Sequence, residues 1–186
     1  FAGAMVRASP NFGERRGPSR PDMIVLHYTG MPSGPAAEDW LCDPASQVSS
    51  HYLVHEDGRV VQMVREADRA WHAGKSSWHG HADINSASVG IEIVNPGHAF
   101  GYPDFPPVQI ERVVELCRDI LRRWGMARER VLAHSDVAPG RKIDPGEKFP
   151  WRRLAEAGLG LFLESSSTGP AVLLPGEQGF PVKAMQ

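Results

Sequence analysis

Two histidines and one aspartate suggest the most specific chemistry in this sequence when they are considered together. His27 ends one short apolar run, His134 ends another, and Asp144 lies in the Pro/Gly-rich loop that follows His134. Neighbouring strands of one sheet can bring such residues together at a single edge. Two imidazoles and a carboxylate would then form a tetrahedral zinc site with one position left open. Either histidine alone is more typical of a hydrogen-bonded core residue, so both interpretations stand at this point.

A lysine accompanies the aspartate in the same loop. An extended chain over 141–144 places Lys142 and Asp144 on the same side. If Asp144 holds a cation, the Lys142 ammonium group points toward the same pocket. Pro-Gly pairs at 139–140 and 145–146 bracket the segment as turns. A solvated Lys/Asp surface pair is the alternative.

Glu92 is a carboxylate in an otherwise apolar strand. Val89, Ile91 and Ile93 share one face of that strand, whereas Gly90 and Glu92 share the other. A desolvated glutamate has a raised pKa and can take and return a proton near neutral pH. The absent side chain of Gly90 suggests room for a ligand beside it. The alternative is an edge-strand glutamate that faces water.

Apolar periodicity and turn signals predict the elements that must position these residues. The 107–124 segment is the clearest helix, since its apolar residues recur at the spacing of one helical face and Gly125 can end it. The Asp57-Gly58 pair predicts a hairpin. The predicted elements are a strand at 23–26, a helix at 35–41, hairpin strands at 50–55 and 59–64, a strand at 88–94, the helix at 107–124, a strand at 130–133 and a helix at 151–157.

Hairpin strands combined with a long crossover helix predict an α/β fold: one domain with a central mixed β-sheet flanked by helices. We expect a proline-interrupted N-terminal arm or loop over 1–22, a catalytic domain over 23–163 and a C-terminal tail over 164–186. Residues 1–4 resemble a cloning remnant before a natural start at Met5. The tail has an apolar stretch at 172–174 through which it could dock.

Composition excludes several classes of protein. The chain has 186 residues and a formal charge of −2, which predicts neither nucleic-acid binding nor attachment to an anionic membrane. No apolar run is long enough for a membrane span. Cys42 and Cys117 are too few for a disulfide framework, and Cys117 lies on the apolar face of the predicted 107–124 helix.

Five segments together resemble the zinc-dependent N-acetylmuramoyl-L-alanine amidases, the superfamily that includes phage lysozyme amidases and peptidoglycan-recognition proteins. The resemblance runs from about 23 to 160 and is strongest with the bacterial branch, because some phage members have Cys where Asp144 stands. Phage members also have Tyr where Ser50 stands here, which is consistent with acid–base work by Glu92. The segments are HYTG, VSSHYLVHEDGRVVQMV, RAWHAGKSSW, INSASVGIEIVNPG and VLAHSDVAPGRKIDPGEKFPW.

The resemblance implies roles for nine residues. It implies one zinc ion held by His27, His134 and Asp144, with Glu92 and Lys142 as catalytic residues. Further residues match positions that bind substrate or line its pocket, namely Arg69, Trp71, His72 and Asn85.

The activity that the resemblance implies is hydrolysis of the amide bond between N-acetylmuramic acid and L-Ala. We expect a monomeric, cytoplasmic enzyme acting on muropeptides, in particular 1,6-anhydro-muropeptides returned during cell-wall recycling. A periplasmic enzyme acting on the wall, a zinc peptidase that cuts within the stem peptide and a non-catalytic muropeptide-binding module are the alternatives.

Overall fold

A computed structural model describes residues 1–17 and 20–162 of the chain. The C-terminal tail expected over 164–186 lies outside the described residues. Three short 3₁₀ turns occur at Pro44–Ser46, His98–Phe100 and Arg128–Arg130. The strands are β1 (Met5–Val6), β2 (Phe12–Gly13), β3 (Met23–Tyr28), β4 (Tyr52–Val54), β5 (Val60–Gln62), β6 (Arg69–Ala70), β7 (Ser88–Ile93) and β8 (Val131–Ala133). The helices are α1 (Gly34–Cys42), α2 (Ile84–Ala87), α3 (Pro107–Trp124), α4 (His134–Val137) and α5 (Trp151–Glu156).

Six of these strands form the central sheet, in the order β1-β5-β4-β7-β3-β8. Only β4 and β5 run antiparallel, as the predicted hairpin requires, and the other neighbouring pairs are parallel. Strands β2 and β6 form a separate antiparallel pair. The predicted α/β fold with a mixed central sheet is therefore confirmed.

The long helix α3 covers one face of the sheet. Its apolar stripe, which includes Ile110, Val113, Cys117 and Ile120, joins the main core cluster with residues of β3, β4 and β7. Gly125 follows the helix in the left-handed conformation (φ 63°), and its N–H donates to the Leu121 carbonyl oxygen. In the described part of the chain, no helix is both long and apolar enough to cross a bilayer.

The N-terminal segment contains more structure than the loop or arm predicted over 1–22. Strand β1 pairs with β5 and strand β2 pairs with β6. The half-buried Arg15 guanidinium donates hydrogen bonds to the carbonyl oxygens of Glu66, Ser86 and Ser88. Two-residue strands carry no periodic pattern, so only the pairing partner reveals them.

An ion pair between the exposed Arg123 and the buried Glu66 attaches α3 to the loop that follows β5. The Glu66 carboxylate accepts hydrogen bonds from Tyr52 Oη and from both terminal nitrogens of Arg123, all at 2.6 Å, and from Trp124 Nε1. Burial alone would raise the pKa of Glu66, but the hydrogen bonds from Arg123, Tyr52 and Trp124 outweigh it and lower the pKa. Glu66 is therefore a charged group whose burial depends on these partners.

Replacing Arg123 with alanine should destabilise the protein strongly, because the buried Glu66 carboxylate would lose its counter-ion. Removing a hydrogen-bond partner of a buried polar group costs about 1 to 3 kcal/mol of unfolding free energy, which urea denaturation can measure. The matched control is Arg122→Ala, since Arg122 is exposed and forms its ion pair with Asp119 rather than with a buried carboxylate. The unfolding free energy of Arg122→Ala should fall by less than about 1 kcal/mol. Equal losses in the two variants would contradict the role given to Glu66.

Candidate active site

The pairing of β3 with β7 places a histidine and a glutamate side by side. His27 lies opposite Glu92, and Val25 lies opposite Gly90. Since paired residues of parallel strands point to the same face of a sheet, His27 and Glu92 share a face near the carboxyl ends of both strands. The strand register thus brings together two residues that are far apart in the chain.

The other neighbour of β3, the edge strand β8, brings His134 to the same end of the sheet. Ala133 in β8 lies opposite Leu26, so His134 follows where β8 ends and α4 begins. The Asp136 carboxylate accepts a hydrogen bond from the Ala133 N–H and holds this turn. The Nδ1 atoms of His27 and His134 are 2.8 Å apart.

The loop after α4 brings Asp144 to the two rings. Asp144 Oδ2 lies 3.0 Å from Nδ1 of His134 and 3.2 Å from Nδ1 of His27. Two contacts hold the loop: the Asp144 carbonyl oxygen accepts from the Ser135 N–H, and Tyr102 Oη donates to the Pro145 carbonyl oxygen at 2.7 Å. All three converging side chains are buried.

This donor set fits a zinc ion. The ligand atoms of three side chains lie within 4.8 Å of one another, one atom each from His27, His134 and Asp144. Among the described residues, this is the sole group of His, Cys, Asp or Glu side chains placed to hold a metal ion. The Nε2 atom of His134 faces the Ala73 carbonyl oxygen at 3.1 Å and can only donate a hydrogen to it, which leaves Nδ1 as the nitrogen available to a metal. Imidazole nitrogens and a carboxylate oxygen directed at one point are ligands that zinc accepts.

The electrostatics of these groups also suit a cation. Burial lowers the pKa of His27 to about 4, so the ring is uncharged at neutral pH. Burial alone would raise the pKa of Asp144, but the adjoining imidazoles of His134 and His27 outweigh it and lower the pKa, so this carboxyl group is ionised. Neutral imidazole and ionised carboxylate are the states in which these side chains bind metals.

Glu92 lies in the same site without a partner. Its Oε2 atom is buried and accepts no hydrogen bond in the described part of the chain. Burial raises the pKa of Glu92 well above its ordinary value, the nearby Asp144 raises it further, and Lys142 opposes both. A carboxylate with a raised pKa can exchange a proton near neutral pH.

A cleft of about 380 Å³ opens over these groups. Lys142 lines it together with the three candidate ligands and Glu92, and its ammonium group has no ion-pair partner among residues 1–17 and 20–162. Trp40, Trp71 and Ile143 contribute apolar wall. Sequence analysis missed Trp40 and Ile143, since a single apolar residue in a loop or on a helix surface carries no signal of its role.

The four residues predicted to bind substrate differ in their position relative to the cleft. Trp71 lines the cleft, and His72 lines it with a ring that is mostly buried. Asn85 lines an adjoining pocket, where its Oδ1 accepts from the N–H groups of His72 and Ala73. Arg69 is not among the residues that line the cleft, and its guanidinium is bound to Asp83 at 2.8 Å.

The space beside Gly90 does not hold a ligand, contrary to the expectation from sequence. The ring of His72 fills it, and a Cβ atom on Gly90 would lie 2.4 Å from the His72 Cγ atom. Real Cβ atoms essentially never approach another atom so closely, so this position requires glycine. The small residue therefore accommodates a side chain of the protein itself.

Comparisons with known proteins agree on one family. The family described as N-acetylmuramoyl-L-alanine amidase matches residues 17–147. The N-acetylmuramoyl-L-alanine amidase AmiD of Escherichia coli (strain K12) is 40% identical over 154 residues, which cover 74% of this chain and 53% of AmiD. The chain thus spans about half the length of that relative. The 1,6-anhydro-N-acetylmuramyl-L-alanine amidase AmpD of Haemophilus influenzae is 32% identical over 163 residues, covering 78% of this chain and 86% of AmpD.

A solved structure extends the similarity to three dimensions. It is the complex of E. coli AmiD with the substrate anhydro-N-acetylmuramic acid-L-Ala-D-gamma-Glu-L-Lys. Its TM-score with this chain is 0.72 at 36% sequence identity, covering 83% of this chain and 68% of that one.

Proposed function

The chain belongs to the N-acetylmuramoyl-L-alanine amidase family, and from this premise we propose that it hydrolyses the amide bond between N-acetylmuramic acid and L-Ala in peptidoglycan fragments. We propose 1,6-anhydro-muropeptides as its substrates and cell-wall recycling as its role. The observation that carries the proposal is the Glu92 carboxylate beside the cluster of His27, His134 and Asp144, with its Oε2 atom buried and without a hydrogen-bond partner in the described part of the chain. The names of the relatives AmpD and AmiD support the choice of substrate.

The candidate ligands would hold one zinc ion through Nδ1 of His27, Nδ1 of His134 and Oδ2 of Asp144. When bound, zinc supplies the Lewis acidity that makes water a nucleophile at neutral pH. Two neutral ligands and one carboxylate leave such a site with a net positive charge, which favours that chemistry.

Glu92 would act as the proton carrier of the reaction. Its carboxylate accepts the proton that the attacking water loses, holds it in a site of low polarity and returns it to the departing amide nitrogen. An amine leaves poorly without that proton. A raised pKa suits both halves of the task, because the group must first accept a proton and later release it.

Lys142 would stabilise the negative charge that develops on the carbonyl oxygen. Lys142 lines the cleft, and its charge is not neutralised by an ion pair in the described part of the chain. A charge placed where the transition state becomes negative stabilises it more than the ground state. This differential effect is what lowers the barrier.

Replacing Lys142 with alanine should lower kcat by about 100- to 1000-fold, the typical effect of removing one oxyanion contact. Zinc content should not change, because Lys142 is not one of the converging ligand atoms. Steady-state kinetics and metal analysis of the purified variant check both outcomes. The control is Lys75→Ala, a nearby exposed lysine outside the cleft lining, whose kcat should stay close to wild type. Equal activity of the two variants would refute the role of Lys142.

The proposed reaction is tested by mass spectrometry of an anhydro-muropeptide digest. We expect free stem peptide and free anhydro-N-acetylmuramic acid. Fragments cut within the stem peptide would indicate a peptidase, and binding without cleavage would indicate a recognition module. A comparison of rates on anhydro-muropeptide, ordinary muropeptide and intact sacculi tests the recycling role, since a preference for sacculi would indicate an envelope enzyme.

A further inference from the structure

A continuous line of hydrogen bonds leads from a candidate zinc ligand into the core. The Nε2 atom of His27, which faces away from His134, lies 3.0 Å from Nδ1 of His72. The Nε2 atom of His72 lies 3.1 Å from Ser88 Oγ, and Ser88 Oγ lies 2.6 Å from the Ile84 carbonyl oxygen. The line ends at this backbone acceptor.

The backbone acceptor determines the direction of every hydrogen bond in the line. The Ser88 hydroxyl has one hydrogen, which it donates to the Ile84 carbonyl oxygen, so Ser88 Oγ must accept from Nε2 of His72. The Nδ1 atom of the neutral His72 ring is then an acceptor, and its donor is Nε2 of His27. Nδ1 of His27 is therefore the nitrogen left with a lone pair.

The ring of His72 has little freedom to move from this position. It lies against Gly90, where any larger residue would collide with it. The backbone N–H of His72 donates to Asn85 Oδ1 at 3.0 Å. The ring position is therefore determined by β7 on one side and by Asn85 at its backbone.

The neighbouring buried histidine does not compete for these contacts. The rings of His51 and His72 meet edge to face, with centroids 5.7 Å apart. Nδ1 of His51 accepts from the Gly90 N–H, and its Nε2 faces the Asp68 carbonyl oxygen. Both nitrogens of His51 are thus bound to backbone groups.

We propose that His72 is a positioning residue: it holds His27 in the tautomer and orientation that present Nδ1 to the metal. The proposal rests on the proposed function in that His27 is taken as a zinc ligand. It assigns His72 a role distinct from the substrate contact expected from sequence. Partners of this kind, which accept the second N–H of a ligating histidine, commonly change metal affinity by about 10- to 100-fold when they are removed.

Zinc affinity of His72 variants is the first test, with the dissociation constant measured by competition against a chelating dye. His72→Phe keeps a ring over Gly90 but has no acceptor, and it should bind zinc about 10- to 100-fold more weakly than wild type. In His72→Asn the side-chain oxygen takes the place of Nδ1, so this variant should recover most of the lost affinity. The control is His55→Phe. His55 is a buried histidine that contacts Glu38 and is not part of the cluster, so the zinc affinity of this variant should equal wild type.

The tautomer of His72 is the second test and requires no metal. Long-range proton–nitrogen NMR correlations of the metal-free protein should show the hydrogen of His72 on Nε2 and an unprotonated Nδ1. A hydrogen on Nδ1 of His72 would overturn the proposal. So would a His72→Phe variant that loses thermal stability but binds zinc like wild type. Failure of the wild-type protein to bind zinc would instead count against the proposed function. The NMR result would still show the direction of the hydrogen bonds between His27, His72 and Ser88.

Discussion

Replacing Glu92 with glutamine should reduce kcat by about 100- to 10,000-fold, the range typical for loss of a general acid–base group. Glutamine has nearly the same shape but cannot accept a proton from water at neutral pH. The zinc content should remain that of wild type, because Glu92 is not part of the converging ligand set. Kinetics on anhydro-muropeptide together with metal analysis check the two expectations.

The stability of this variant provides an independent check. Burial raises the pKa of Glu92 in the folded protein, so the folded state keeps its proton to higher pH than the unfolded chain does. Between those two pKa values the folded state binds more protons, and its stability contribution falls as pH rises. Glutamine has no such loss, so Glu92→Gln should be at least as stable as wild type at neutral pH in urea denaturation.

An active Glu92→Gln variant would contradict the mechanism. Loss of activity together with loss of zinc or of folding would also remove the support for a proton-transfer role. Only an inactive, folded and zinc-loaded variant agrees with the assignment of Glu92.

The second large effect is expected from His134→Ala. This change removes one of three converging ligand atoms. Loss of a hydrogen bond that only supports a ligand weakens metal binding by up to about 100-fold. Loss of a ligand itself should therefore lower zinc affinity by more than that. Activity should fall with metal content, and excess zinc should restore part of it. Metal analysis after gel filtration and kinetics with added zinc measure these outcomes.

The control for this experiment is His81→Ala, because His81 is an exposed histidine outside the described cleft. Its metal content and kcat should match wild type. Wild-type zinc affinity in His134→Ala would rule out the proposed ligand set, whereas equal losses in both variants would indicate an effect unrelated to the cluster.

Residue type and spacing alone predicted several helices and strands of this protein and its candidate site residues. The apolar periodicity of α3 and the Asp-Gly turn between β4 and β5 depend on local chain geometry, so they could be recognised without coordinates. The unusual types at strand ends, in particular His27, His134 and Glu92, identified the candidate chemistry. The resemblance of whole segments identified the family, which the comparisons confirmed.

Contacts between distant residues required the tertiary structure. The pairing of β3 with β7 decides that His27 and Glu92 share a face, because a shift of one residue would turn one of them away. The ion pair of Arg69 with Asp83 likewise depends on how β6 lies against the start of α2.

The sequence by itself identified the candidate residues for the proposed amide hydrolysis and the segments that carry them. Only the tertiary structure decided that the space at Gly90 belongs to the ring of His72 and that this ring contacts His27. The physical reason is that secondary structure follows from local patterns, whereas the environment of a buried polar group depends on neighbours that the chain brings in from elsewhere.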